Sequence, residues 1–160
     1  MLTALPFLIV YFTLSILLWI SDQRTGLLPD RFTCPLLWSG LLYHQCCLSA
    51  GLPEAVWGAM AGYVVLAFLY WIYRWLYHKE GLGYGDVKFL AALGAWHGWQ
   101  SLPVLVFLAA LFACVFTLVL FIRRGKAVLK NPLPFGPFLA TAGFIVSGQT
   151  LLAGILSLPL

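Results

Sequence analysis

The stretch LPVLVFLAALFACVFTLVLFIRR, residues 102–124, settles the class of the chain. From Leu102 to Ile122 no residue is charged, and the run stops at the paired cations Arg123 and Arg124. A bilayer core of roughly 30 Å is crossed by a helix of about 20 apolar residues. An apolar run of this length, closed by two arginines at one end, is a transmembrane helix with an interfacial anchor.

Composition carries that reading to the rest of the chain. Hydrophobic residues make up 62% and charged residues 9%, against about 25% charged in soluble domains. Mean hydropathy is +0.96. A polytopic, all-α integral membrane protein follows, expected as one membrane-embedded domain over residues 1–160 with no room for a second, soluble one. Working outward from residue 102, the other apolar runs are Leu2–Ser21, Phe32–Ser49, Ala55–Trp75, Val87–Trp99 and Phe135–Leu156. The second is diluted by His44 and Gln45, and the fourth spans only about 20 Å at 1.5 Å per residue.

Charge distribution supports six crossings. If the chain crosses six times, one side receives Arg24, Arg31, Arg74, Lys79, Lys88, Arg123, Arg124, Lys126 and Lys130. The other receives both termini and the connections near Gly51–Glu54 and Gly98–Ser101, with no Lys or Arg. All nine basic residues therefore share one side, and removing either weak span destroys the segregation. The positive-inside rule makes that side cytoplasmic, which leaves both termini non-cytoplasmic. The net charge of +4 is thus a topology signal. It implies a lipid bilayer as partner and no nucleic acid. The opening run Met1–Ile20 lacks a basic start and a small-residue cleavage site, so it is expected as a retained helix and not a signal peptide. Trp96, Trp99 and Tyr43 are expected in an interfacial aromatic belt.

Cys34, Cys46, Cys47 and Cys114 form no C-x-x-C pair, and no histidine stands at ligand spacing from them. No metal site and no cofactor are expected. His44, His78 and His97 are scattered between the two faces and receive no ligand role.

Acidic residues are scarce, and four of five (Asp22, Asp30, Glu80 and Asp86) fall on the cytoplasmic side. An ionisable group near a bilayer costs free energy, roughly 2.5–3.5 kcal/mol at mid-span and less near the ends, so it tends to mark a working site. Asp30 follows Pro29 at the start of the second helix, where capping or a substrate contact is expected. Asp22 ends the first helix, at the negative end of its dipole, and lacks a local structural reason. Asp86 opens the fourth helix after Glu80-Gly81-Leu82-Gly83-Tyr84-Gly85. These glycines are expected to take positive φ and to let the backbone approach another segment closely. Asp22 and Asp86 would then meet at one membrane face. Two carboxylates on one water can hydrolyse a peptide bond, one as acid and one as base. Lys88 could orient a carboxylate, meet an acidic substrate group, or extend to lipid phosphates. The short fourth span is expected to leave a water-accessible vestibule beside the pair.

Three segments resemble the type IV prepilin peptidases, the aspartic membrane peptidases with a Gly-x-Gly-Asp motif. They are Asp22 with Leu28-Pro29-Asp30-Arg31-Phe32-Thr33, then Gly83-Tyr84-Gly85-Asp86-Val87-Lys88, then Leu133-Pro134-Phe135-Gly136-Pro137. The resemblance implies that Asp22 and Asp86 are the catalytic pair, supported by Gly83, Gly85 and Lys88. It implies cleavage of the leader from a type IV prepilin or pseudopilin, at the cytoplasmic face of a bacterial inner membrane. Longer members carry paired C-x-x-C motifs associated with N-methylation of the product; their absence implies a peptidase-only short form. A transporter using the two acids as cation sites is the rival reading. Their placement at one face, and the lack of a visible inverted repeat, weigh against it.

Overall fold

A computed structural model of the protein describes residues 3–77, 83–124 and 134–156. His78, Lys79, Glu80, Gly81 and Leu82, with Lys126, Lys130 and Leu133, lie outside the described residues. Six long helices follow one another: α1 (Leu5–Thr25), α2 (Asp30–Cys47), α3 (Leu52–Tyr77), α4 (Tyr84–His97), α5 (Leu102–Arg124) and α6 (Gly136–Leu156). Short 3-10 turns, Ser49–Gly51 and Trp99–Ser101, join α2 to α3 and α4 to α5. No strand occurs among the described residues. Each expected apolar run is a helix, and the chain is an all-α integral membrane protein. Leu5–Thr25, Ser49–Leu76 and Trp99–Arg123 are long and apolar enough to cross a membrane by length and composition.

The shortest helix occupies the centre. α4 has 14 residues, about 21 Å at 1.5 Å per residue, and packs against α2, α3 and α6. Its residues Asp86, Val87 and Phe89 through Trp96 are all buried. A helix enclosed by protein need not match the bilayer thickness, because its ends meet neighbouring helices instead of lipid.

Small residues set how closely the neighbours approach. A Cβ on Gly58 of α3 would meet the carbonyl of Gly94 on α4, and the reverse holds as well. One turn along, a Cβ on Gly62 would lie 2.8 Å from the Leu90 carbonyl oxygen. Backbone-to-backbone packing of this kind is how helices associate where no hydrophobic effect separates them from lipid. On the α2 side, Gly40 leaves room for the Trp96 ring. Trp96 Nε1 donates to the Leu36 carbonyl at 2.8 Å, and Tyr43 stacks on the ring with centroids 5.3 Å apart. Trp96 is therefore a core residue, contrary to the expected belt, since its one polar atom is satisfied inside. Trp99 is exposed.

Large apolar side chains of α3 and α5, among them Trp57, Phe68, Trp75, Phe107 and Ile122, point outward. That is the inverted surface expected of lipid-facing helices. Alternating direction brings the C-termini of α1, α3 and α5 to the same end as the N-termini of α2, α4 and α6. Contacts between Lys88 and Asp30 and between Gly136 and Asp22 fix that end. Arg24, Arg31, Arg74, Lys88 and Arg123 all belong to it.

Candidate active site

Asp22 occupies the last full turn of α1. The helix stops at Gly26, whose φ of 64° is left-handed and whose N–H donates to the Asp22 carbonyl at 2.8 Å. The Asp22 side chain is only 5% exposed. Its Oδ2 accepts the backbone N–H of Gly136 at 2.9 Å, and Gly136 is the first residue of α6. The carboxylate thus lies at the negative end of its own helix dipole and at the positive end of another. A side chain at Gly136 has no space, because a Cβ there would lie 2.6 Å from Asp22 Oδ2. Gly136 lies in the third resembling segment, Pro134-Phe135-Gly136-Pro137, and was not among the expected site residues. The available signal was a Gly-Pro pair opening a helix, which leaves N–H groups free to meet an anion.

Asp86 lies in the first turn of α4, and its backbone N–H donates to the Gly83 carbonyl at 3.0 Å. It too is 5% exposed. Gly83 has an extended backbone, φ −67° and ψ 131°; the positive-φ glycines among the described residues are Gly26 and Gly98. The expected positive φ is therefore not the role of Gly83 or Gly85. Both serve close approach. A Cβ on Gly83 would lie 3.2 Å from Asp86 Oδ2, and one on Gly85 only 2.7 Å from Leu28 Cβ. Leu28, in the loop between α1 and α2, thereby settles on the first turn of α4 and ties the Asp22 segment to the Asp86 segment.

Asp86 Oδ1 is buried and has no hydrogen-bond partner among the described residues. A buried acceptor left without a partner costs about 1–3 kcal/mol, so its retention calls for a reason. Asp22 and Asp86 thus stand at the same end of the bundle, on α1 and α4, linked through the Leu28 loop that packs on Gly85.

Asp30 and Lys88 form a separate pair beside them. Asp30 is the first residue of α2, and Pro29 holds the cap position before it. Lys88 Nζ donates to both of its carboxylate oxygens, at 2.7 and 2.8 Å. The capping expectation is corrected: Asp30 stands inside the helix, past the cap position, and its carboxylate turns to the ammonium on α4. Lys88 Nζ also lies 5.5 Å from the centre of the Tyr84 ring, and Tyr84 hydrogen-bonds Tyr63 of α3. Lys88 thus joins α2, α3 and α4 at the surface of the site.

Both aspartates are covered among the described residues, each at 5% exposure. No group of three or more His, Cys, Asp or Glu suited to a metal ion occurs among the described residues. Cys34, Cys46, Cys47 and Cys114 are free thiols.

Residues 9–118 match the type IV leader peptidase family, a segment that includes both aspartates. The chain belongs to the type IV leader peptidase family. It is 68% identical over 145 residues to the leader peptidase HopD of Salmonella typhimurium, covering 91% of this chain and 94% of that protein. Identity to the Escherichia coli leader peptidase HopD is 66% over 150 residues, 94% of this chain and 97% of that one. The prepilin leader peptidase/N-methyltransferase of Aeromonas salmonicida is 52% identical over 124 residues, which are 78% of this chain but 42% of that longer protein. No solved structure matches the chain. As a member of that family, the protein is a peptidase, a hydrolase of peptide bonds.

Proposed function

We propose that this leader peptidase removes the leader from type IV prepilins or pseudopilins with Asp22 and Asp86 as its catalytic pair, within one membrane-embedded domain. The single observation that supports the assignment is the burial of two carboxylates from separate helices at one end of the bundle, one with an oxygen that has no partner among the described residues. Asp22 is oriented by the Gly136 N–H, and Asp86 is held against Gly83. Two carboxylates at close quarters share a proton. The ionised member takes a proton from water as it attacks the scissile carbonyl, while the protonated member donates to the developing oxyanion. Neither step calls on a cofactor.

Sidedness comes from charge. The described basic residues gather at the end of the bundle that holds the aspartates, and the positive-inside rule assigns that end to the cytoplasm. Six crossings then place both termini on the outer side of a bacterial inner membrane. The substrate's own apolar segment would lie in the same bilayer, with its cleavage point at the inner surface.

Co-expression with a candidate prepilin tests the assignment, with leader removal read as a mass shift. Asp22→Asn and Asp86→Asn should each abolish processing while the protein still inserts in the membrane. Retained processing in either variant overturns the pair.

A further inference from the structure

The three helices that build the aspartate site meet again around a second polar cluster. Tyr11 is buried on α1, and its hydroxyl lies 3.1 Å from His97 Nε2 at the end of α4. Ser147 is buried on α6, and its Oγ lies 3.3 Å from the same nitrogen. A cradle is built for the phenol. A Cβ at Gly143 of α6 would come within 2.8 Å of the Tyr11 hydroxyl oxygen. The Tyr11 ring is packed by Trp96 at 4.8 Å and edge-on by Phe144 at 6.3 Å between centroids.

The spacing is the informative part. Tyr11 precedes Asp22 by 11 residues, His97 follows Asp86 by 11, and Ser147 follows Gly136 by 11. Eleven residues are about three helical turns and about 16.5 Å of rise. Each helix therefore carries one member of the aspartate site and one member of the Tyr11 cluster on nearly the same face. Hydrogen bonds to His97 tie all three helices at the Tyr11 level; at the aspartate level the Gly136 N–H ties α6 to α1, and Asp86 of α4 makes no described hydrogen bond to either. Interhelical hydrogen bonds add to close packing in fixing the register of helices in a bilayer, where apolar side chains pack on lipid as readily as on each other.

We propose that Tyr11, His97 and Ser147 are positioning residues that set the register of α1, α4 and α6, and through it the placement of Asp22 against Asp86 and Gly136. The proposal rests on the assignment of Asp22 and Asp86 as the catalytic pair. A displacement of about 1 Å at reacting groups lowers turnover by as much as 10²-fold. Loss of a tie three turns away therefore registers in turnover before it registers in substrate binding.

The test uses the full chain reconstituted in liposomes with a purified prepilin as substrate, reading kcat, KM and melting temperature. Tyr11→Phe and His97→Leu should each lower kcat about tenfold or more while KM stays within about twofold, the pattern of lost transition-state alignment. His97→Gln, whose amide oxygen can accept from both hydroxyls, should recover most of the kcat lost in His97→Leu. If Tyr11→Phe and His97→Leu keep parental kcat per folded molecule and only melt earlier, the cluster is a stability element and the proposal is overturned. It is also overturned if His97→Gln is no better than His97→Leu. Tyr11→Phe, which removes one oxygen and keeps the ring, decides the matter should His97→Leu fail to fold. Asp22→Asn is assayed in parallel. Cleavage by that variant sinks the catalytic pair itself, whereas an inactive Asp22→Asn beside a fully active Tyr11→Phe sinks the positioning role alone.

Discussion

Gly136 donates its backbone N–H to Asp22 Oδ2 at 2.9 Å across 114 residues of chain, so the start of α6 orients a carboxylate at the end of α1. A Cβ at position 136 would fall 2.6 Å from that oxygen. Gly136→Ala should therefore swing Asp22 out of place while favouring the helix slightly, since Ala exceeds Gly by up to about 1 kcal/mol in helix propensity. The expected outcome is a kcat reduced about 10–100-fold with a melting temperature close to the parent's. Parental kcat would show that the Gly136 contact does not orient Asp22 for catalysis.

Leu28 and Gly85 make the second close contact, with 2.7 Å between Leu28 Cβ and the Cβ that Gly85 lacks. Gly85→Ala forces the α1–α2 loop off α4, an overpacking expected to cost about 1–3 kcal/mol. The clash is with Leu28 Cβ itself, so Leu28→Ala does not relieve it. Leu28→Gly does. The double variant Leu28→Gly, Gly85→Ala should melt above Gly85→Ala alone; strictly additive losses would show that the two positions do not meet.

Lys88 and Asp30 are 34% and 61% exposed, and such a pair is worth about 0.2–1 kcal/mol. Asp30→Asn should lower the melting temperature slightly, and the effect should shrink at high salt. Prepilin processing should continue, because neither side chain touches Asp22 or Asp86 through a described hydrogen bond. Loss of processing in Asp30→Asn with an unchanged melting temperature would move Asp30 into substrate binding.

Much of this was legible in the chain because bilayer physics writes itself in length and charge. The run from Leu102 to Ile122 fixed a helix, and the basic loops fixed six elements even though α2 and α4 are weak by hydropathy. Asp22 and Asp86 stood out through the cost of placing them near lipid. Contacts made at long separation were not legible. Nothing near Asp22 names Gly136 as its partner, and nothing near Lys88 names Asp30. The burial of Trp96 depends on Gly40 and the Leu36 carbonyl on a different helix. His97 received no role because its partners, Tyr11 and Ser147, are 86 and 50 residues distant. The glycines of Gly83-Tyr84-Gly85 were found by composition, but their purpose is space for Asp86 and Leu28. Sequence spacing alone does not separate that purpose from a positive-φ turn.

The shared proton makes the last prediction one of shape. Two aspartates acting on one water, as proposed, lose their protons in two macroscopic steps that belong to neither residue alone. Catalysis needs the singly protonated form, with one carboxylate to accept a proton from water and one carboxylic acid to donate. As pH falls, the second proton binds and removes the base; as pH rises, the last proton leaves and removes the acid. A profile of kcat/KM against pH should therefore be bell-shaped, with each limb reporting one proton. Adding a metal chelator should leave height and position unchanged, since the proposed step uses water and two carboxylates only. The measurement is made on reconstituted protein whose melting temperature is followed at each pH, which separates titration from unfolding. A single rising or falling limb across the range where the fold persists would show that the two aspartates do not work as one proton-sharing unit.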